Sequence, residues 1–568
     1  MNKELNEVIW KHALKNALEH EGKAQSGAVV GKVAALMPET KGRLVALMPE
    51  IQAVVEQVNK LGLEEAKARL AEFEGKYELK KAERRVGLPE LEWFFEGKEK
   101  CRTRLAPNPN GPFHLGHSRQ AVLSWLYAQK YNGEFILRFD DTDPKIKKPI
   151  SNAYALVLED LDWLGIVPKE IYYASNRMEL YYEFMKKAID AGVAYVCTCE
   201  QEAWKKLKQE KTACPCRANS KQENLERFEK MLEYSFKQGQ AVLVVKTDIE
   251  HEDPSIRDWV AARIIDKPMH PKLGEEFKLW PTYNFASAID DHELEVTLII
   301  RGQEHSQNTE KQKYLYTAFD WAYPHAIHTG RLGFSGMVLS KTQIKEGFEK
   351  GLFTGWDDVR LGTIRALRKR GFQPQAIVKL IEGFGIKGSD VTVSQENLNA
   401  LNRDLIKDKV LYFAFVRDPV RLDVSYSKEM DAKLPLHPEF PEKGYRIYSL
   451  KQGTELFFVS RQDLERFAEK DVFRLRNAFN VRISERQQWQ SFAEFVGEAL
   501  TNKPIVSWVK EHETAEVLMP DNNRIYGVTD AIIKKLVKEK DLVFLEHLGY
   551  CKIEEISQQG IKCVYCHD

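Results

Sequence analysis

Residues 101–140, CRTRLAPNPNGPFHLGHSRQAVLSWLYAQKYNGEFILRFD, decide how the chain is built. CRTRLA reads as a short strand, the Pro/Gly/Asn stretch after it as a loop, SRQAVLSWLYAQKY as a helix and EFILRFD as a second strand. A further long helix, ISNAYALVLEDLDWLG, follows at 150–165. Strand, loop, helix and strand in that order form a βαβ unit, which implies a parallel sheet covered by helices. LEVTLIIRG at 294–302 supplies a later strand for the same sheet. Between the two lies an insertion, 196–280, that carries four cysteines and two helical stretches.

Working outward, residues 4–75 place Val8, Ile9, Ala13, Leu14, Ala17 and Leu18, then Ile51, Val54, Val55 and Val58, at helical spacing. The charged, turn-rich stretch EGKYELKKAERRVGLPELEW suits a connector, and we set a boundary near residue 98. Residues 355–400 return to helical spacing through Ile364, Leu367, Ile377 and Leu380. After residue 405 come short alternating runs, KVLYFAF, PVRLDVSY, TELFFVS and VFRLRNAFNVRI, which suggest β-barrels. No internal repeat or low-complexity tract is evident. The parse is therefore 1–98 helical, 99–195 and 281–345 as the two halves of one α/β domain, 196–280 inserted, 346–404 a helical connector and 405–568 barrels.

A chain of 568 residues exceeds what one hydrophobic core serves, and several domains are expected. Hydrophobic content of 43% with 30% charged residues excludes wholesale disorder. The 84 basic and 84 acidic side chains cancel, so any nucleic-acid contact must come from local basic surfaces. Lys145, Lys147 and Lys148, and Arg365, Arg368, Lys369 and Arg370, are the candidate runs for such contacts. The N-terminus has no apolar signal region and no run of 18 apolar residues occurs, which points to a cytoplasmic protein without a membrane partner.

The loop 107–117, PNPNGPFHLGH, sits between a strand and a helix, so its imidazoles and backbone N–H groups gather at a helix N-terminus, where an anion binds. His114 and His117 can face one phosphate, and Gly116 lets it approach the backbone. Far along the chain, MVLSKT at 337–342 offers Lys341 after a serine. A lysine opposite a histidine cluster supplies positive charge on both sides of a phosphoryl group as pyrophosphate leaves. Cys197, Cys199, Cys214 and Cys216 form CxC, fourteen residues, CxC, and four thiolates from two knuckles can complete a tetrahedral zinc site. Cys563 and Cys566 form a CxxC in the last six residues, expected to be a flexible tail without a site.

TRLAPNPNGPFHLGH, LRFDDTDP, WPTYNFASAIDD, IIRGQEH and VLSKT occur in that order. Together they resemble the glutamyl and glutaminyl subclass of class I aminoacyl-tRNA synthetases, with HLGH as the HIGH motif. The N-terminal KHALKNALEHEGKAQSGAVVGKV looks like the helical extension of archaeal glutamyl enzymes, and LPLHPEFPEKGYR and FRLRNAFNVRI resemble their C-terminal barrels. The resemblance implies a multidomain α/β fold: a class I Rossmann-like catalytic domain with an inserted acceptor-stem-binding domain, and all-β barrels that bind the anticodon. It implies activation of glutamate with ATP and Mg²⁺, transfer to tRNA(Glu) and no obligate protein partner, while the cysteine spacing points to one structural Zn²⁺ in the insertion. Whether tRNA(Gln) is charged as well stays open.

Residue by residue, the resemblance assigns His114, His117 and Lys341 to catalysis. ATP would lie along Pro107, Asn108, Pro109, Asn110, Gly111, Pro112, Phe113, Leu115 and Gly116, closed over by Leu339, Ser340 and Lys341. Arg104 would meet the side-chain carboxylate of glutamate and Asp140 its α-ammonium, with Tyr283, Ser287 and Arg301 around them. The family's KMSKS loop opens with lysine where this chain has Val338, so Lys341 alone supplies that loop's charge. Asp143 is expected of the glutamyl branch, where glutaminyl enzymes carry asparagine. The rival readings are a glutaminyl-tRNA synthetase and a non-catalytic tRNA-binding scaffold derived from a synthetase.

Overall fold

The computed structural model describes residues 3–20, 22–37, 40, 43–73, 87–91, 100–426, 429–499 and 502–568. Most of the charged connector lies outside the described residues. The chain divides into two compact units, Met1–Val86 and Gly87–Asp568. In the first, helices Lys3–Glu19, Ser26–Leu36, Leu44–Val58 and Leu63–Ala71 close around their own core. Val8, Ile9, Ala13, Leu14 and Ala17 pack there with Val29, Val33, Ile51, Val54, Val55 and Val58, the stripe that helical spacing picks out.

The second unit is built on five parallel strands. β1 (Arg102–Leu105) runs into helix Leu115–Lys130, then β2 (Glu134–Phe139), helix Ala153–Trp163 and β3 (Ile171–Tyr173). Gly133 is the one residue that fits the entry to β2, because a Cβ there would lie 1.8 Å from the carbonyl oxygen of Cys101 beside it. The insertion is an antiparallel sheet of β4 (Ala194–Cys197), β5 (Val242–Val245), β6 (Trp259–Ile264) and β7 (Leu279–Pro281), in that spatial order. Helix Tyr283–Glu293 leads back to β8 (Leu298–Gly302) and β9 (His325–Thr329). The strand expected from residue 294 starts at 298, since Glu295 turns the backbone to φ +52°.

The parallel sheet is ordered β3-β2-β1-β8-β9. From β1 the chain winds first to one side and later to the other, so a crevice opens between β1 and β8 at their carboxyl ends, where doubly wound sheets take their ligands. The Pro/Asn loop, Asp140 and His305 all follow the carboxyl ends of β1, β2 and β8.

Two seven-stranded sheets of nearly closed barrel form make up the C-terminal region. One joins Leu411–Phe413, Leu542–Leu545, Gly549–Ser557, Gly560–His567, His512–Leu518, Arg524–Asp530 and Phe415–Arg417, in that order. The other joins Ile505–Val506, Val472–Leu475, Asn480–Arg486, Gln490–Gly497, Pro419–Tyr426, Gly453–Ser460 and Trp508–Val509. The two orders match strand for strand, including which neighbours run parallel. The chain does carry an internal repeat, contrary to the sequence reading. EKD at 469–471 recurs at 539–541, with Lys470 and Lys540 both at φ +76°. Their N–H groups donate to Ile483 O and Ile553 O, each at 2.8 Å. Each repeat borrows its two edge strands from outside itself: residues 411–417 complete the second barrel, and 505–509 complete the first. The hairpin of Met430–Pro435 and Tyr445–Leu450 interrupts the first copy alone.

The CxxC near the C-terminus is a second correction. Cys563 and Cys566 lie buried in strand Gly560–His567, whose end docks on the helical connector: Arg370 donates to Cys566 O at 2.7 Å, and Asn402 Nδ2 meets His567 Nε2 at 2.9 Å. Arg370 is thereby lost to any phosphate. Arg365 is paired with Glu159 and Lys369 with Asp357, whereas Lys145, Lys147 and Lys148 stand exposed. No described helix is long and apolar enough to cross a membrane.

Candidate active site

His114 caps the helix Leu115–Lys130, and its Nδ1 accepts from the His117 N–H at 3.4 Å. The two imidazoles stack with centroids 3.8 Å apart. A Cβ at Gly116 would come within 2.8 Å of the His114 ring, so glycine is what allows that ring to fold back over the helix start. Lys341, 230 residues downstream of Gly111, donates from Nζ to Asn110 Oδ1 at 3.0 Å and to Gly111 O at 3.2 Å. Both phosphate-binding candidates therefore form one cluster. The segment between them fixes their register: Ile364 N–H donates to Phe113 O, Leu115 N–H to Gly362 O, and Gly362 N–H to Val338 O.

Burial, then the neighbouring Lys341 charge, lowers the His114 pKa to about 4, and His117 is held well below its ordinary value by burial and by His114. Burial, then Lys345, brings Lys341 down to about 8. His117 Nδ1 is buried without a hydrogen-bond partner among the described residues. Such a cluster is short of negative charge, which an anion would supply. Asp160 lies beneath the loop and accepts the Phe113 N–H at 2.8 Å, with burial raising its carboxyl to about 7.

In the crevice beside this cluster, Arg104 is buried and donates from Nε and Nη2 to Asp291 at 2.8 and 3.1 Å. Its Nη1 makes no hydrogen bond among the described residues. The fully buried Ser287 hydroxyl also reaches Asp291, at 3.4 Å. Arg301 donates to Tyr283 Oη, Gln312 Oε1, Thr309 Oγ1 and Tyr323 Oη, which fixes its plane. His305 stands 5.5 Å from the Tyr283 ring, and burial with the Arg301 and Arg104 charges brings its pKa to about 4.

Asp140 accepts from Arg138 at 3.0 Å, yet burial outweighs that charge and raises its carboxyl. Asp290 receives Arg138, Arg177 and the Tyr181 hydroxyl, and so locks Arg138 in place. Asp290 thus orients Arg138, and Asp291 orients Arg104. Their adjacency in AIDD was the available signal, but carboxylates on a helix give no periodic signature of burial.

In the insertion, Cys197 and Cys199 meet Cys214 at Sγ separations of 3.5 and 3.4 Å, and Cys199 meets Cys216 at 3.7 Å. All four sulfurs lie within 4.8 Å of one another. A tetrahedron with Zn–S bonds of about 2.3 Å has edges of about 3.8 Å. The residues fit the metal. Against burial, hydrogen bonds from Thr198, Cys199 and Arg227 bring the Cys216 thiol down to about 7, whereas burial pushes Cys197 and Cys199 up, so the charge of a bound metal would be needed to make all four thiolates.

Residues 100–408 match the family described as tRNA synthetases class I (E and Q), catalytic domain, and 413–496 match its anti-codon binding domain. The chain is 44% identical to a glutamate–tRNA ligase of Pyrococcus furiosus over 99% of its own length and all of that protein. It is 45% identical to that of Pyrococcus abyssi, over 99% of this chain and 100% of the relative. The corresponding ligase of Methanopyrus kandleri is 39% identical over the full length of both. A histidine and lysine cluster closed from two distant segments, an arginine-lined crevice beside it and this end-to-end similarity lead to one conclusion: the chain belongs to the class I aminoacyl-tRNA synthetases of the glutamyl and glutaminyl family.

Proposed function

We propose that the chain is a glutamate–tRNA ligase that activates glutamate with ATP and passes it to the 3′ end of tRNA(Glu). The observation that carries the reading is Lys341 seated on Asn110 and Gly111, which joins the two halves of a phosphate clamp. In the first step an oxygen of the glutamate α-carboxylate attacks the α-phosphorus of ATP and pyrophosphate leaves, giving glutamyl-adenylate. In the second a 3′-terminal ribose hydroxyl attacks the acyl carbon, and AMP leaves. Mg²⁺ carried with ATP supplies further positive charge at the phosphates.

His114 and His117, neutral at physiological pH, act as N–H donors at the helix start, while Lys341 provides full charge to the departing pyrophosphate. The ATP site comprises Pro107 to His117 together with Leu339 and Ser340. For the amino acid, Arg104 Nη1 meets the γ-carboxylate, Asp140 the α-ammonium, and Tyr283 and Arg301 close the sides. Ser287 contributes through Asp291. Residues 196–280 would meet the acceptor end and 405–568 the anticodon, with 346–404 between them. Asp143, anchored on the N–H of Ile146 and facing Arg263 at 3.3 Å, is the residue expected of the glutamyl branch. Aminoacylation of purified tRNA(Glu) and tRNA(Gln) separately is the decisive experiment. Glutamate must load onto tRNA(Glu), and no loading of either tRNA would end the reading.

One Zn²⁺ held by Cys197, Cys199, Cys214 and Cys216 would staple a part of the insertion that has little apolar core of its own. Protein purified without chelators is expected to contain about one zinc per chain by elemental analysis. Replacing Cys197 and Cys214 together should release it and make residues 197–220 protease-sensitive. Zinc-free protein in which this segment resists protease would remove the metal from the account.

A further inference from the structure

Asp141 follows Asp140 at the end of β2, but it is completely buried and no substrate reaches it. Its carboxylate accepts the Ser175 N–H at 2.8 Å, the Ser175 hydroxyl at 2.7 Å and the Tyr154 hydroxyl at 2.8 Å. A fourth group faces it from the insertion: His270, in the turn between β6 and β7, sets Nε2 3.7 Å from Asp141 Oδ2. We propose that Asp141 is a positioning residue of the amino-acid pocket, holding Asp140 where the α-ammonium of glutamate is bound, and that His270 makes this hold depend on how the insertion is seated. The inference rests on the ligase reading.

A buried carboxylate that has collected its donors fixes the segments that supply them. Two routes lead from Asp141 to Asp140. One is the backbone: Asp140 N–H donates to Pro107 O at 2.9 Å and Asn108 Nδ2 to Asp140 O at 3.0 Å, so Asp140 is pinned to the Pro/Asn loop on one side and by Asp141 on the other. The second runs through side chains. Ser175 stands in the turn Ala174–Arg177, whose Arg177 donates to Asp290 at 2.7 Å; Asp290 holds Arg138, and Arg138 holds the Asp140 carboxylate at 3.0 Å. The routes close a ring. Loosening Asp141 therefore frees both the backbone of Asp140 and the turn that steadies its arginine.

The His270 ring carries its proton on the side of Asp141. Its Nδ1 accepts the N–H groups of Lys272 and Leu273 at 3.3 and 3.1 Å, which leaves the proton on Nε2. That N–H is buried and makes no hydrogen bond among the described residues, while the Asp141 oxygen stands within about 1 Å of hydrogen-bond length. A buried N–H without an acceptor is unfavourable, so a small advance of the turn that closes the gap is downhill. Beside it, the Lys272 ammonium lies over the Tyr173 ring at 2.9 Å and the Tyr154 ring at 4.7 Å, and Arg263 faces Asp143 at 3.3 Å. These contacts tie the β6–β7 hairpin to the segments that surround Asp141.

The test is steady-state pyrophosphate exchange by the full chain with tRNA present, for Asp141→Asn, His270→Ala and His270→Gln, with folding checked by circular dichroism. Asp141→Asn should raise the KM for glutamate at least ~10-fold and leave that for ATP within ~2-fold, because only the amino-acid side of the crevice loosens. His270→Ala should raise the glutamate KM by roughly 3 to 10-fold, and His270→Gln, whose amide N–H can meet Asp141, should restore most of it. Asp141→Asn/His270→Ala should be no worse than Asp141→Asn alone, since the two residues act as one unit. A wild-type glutamate KM in folded Asp141→Asn, or KM values for glutamate and ATP that rise together, would overturn the proposal. An unchanged glutamate KM in His270→Ala would overturn the part played by the insertion, and this variant, which leaves the Ser175 and Tyr154 hydrogen bonds in place, decides the matter alone should Asp141→Asn not fold. Wild-type protein that exchanges no pyrophosphate with glutamate would instead sink the ligase reading, and this inference with it.

Discussion

Replacing Lys341 by alanine is expected to reduce kcat for pyrophosphate exchange, measured with tRNA present, by at least ~100-fold with glutamate affinity nearly unchanged. The expectation is large because Val338 removes the loop's other lysine. The residue left has to bring its charge to the phosphates unaided, against neutral imidazoles on the other side. Its pKa of about 8 adds a sign. As pH rises through that value the free enzyme loses the ammonium, so kcat/KM for ATP should fall on the alkaline side. Lys341→Arg, which keeps its charge, should move that limb upward. A loss of less than tenfold in Lys341→Ala would take this residue out of the mechanism.

The second large effect concerns Arg104. Asp291 takes two donors of its fork, Nε and Nη2, and Nη1 makes no hydrogen bond among the described residues. A γ-carboxylate accepts from that donor, whereas a glutamine amide turned the wrong way presents N–H to N–H, at a cost of about 1 to 3 kcal/mol. Arg104→Ala should therefore raise the KM for glutamate by roughly 10 to 100-fold, leave that for ATP nearly alone and narrow the preference over glutamine. Because both partners are buried, the same change leaves Asp291 uncompensated and should lower stability by about 3 to 5 kcal/mol. Arg104→Lys separates the effects: it keeps a charge beside Asp291 but lacks the planar fork, so stability should largely return while the glutamate KM stays high. A wild-type KM for glutamate in both variants would mean that Arg104 does not touch the substrate.

What could be read without coordinates followed from local chemistry. PNPNGPFHLGH announces its own loop because proline, glycine and asparagine punctuate it, and the strand and helix on either side carry different periods. The cysteines betray themselves by spacing. The supporting carboxylates do not, since the roles of Asp290, Asp291 and Asp160 depend on what folds against them. The repeat stayed hidden because turns tolerate substitution and a hairpin interrupts one copy, so that little beyond EKD survives in the two sequences. The terminal CxxC was misjudged because position in the chain says nothing about burial when the last strand completes a barrel.

The exchange of edge strands between the barrels has a consequence for how the protein is made. Leu411–Phe413 must wait for Leu542–Leu545, and Phe415–Arg417 for Arg524–Asp530. At synthesis rates of about 5 to 20 residues per second those strands stay unpaired on the ribosome for roughly 5 to 25 seconds. Neither barrel is a contiguous stretch of gene, so cutting the coding sequence after residue 497 would not yield a chain with one intact barrel. It would yield one with the first barrel unclosed and two orphan strands with nothing to pair against. Gene fusion, splitting or recombination can therefore act on this region only as a whole.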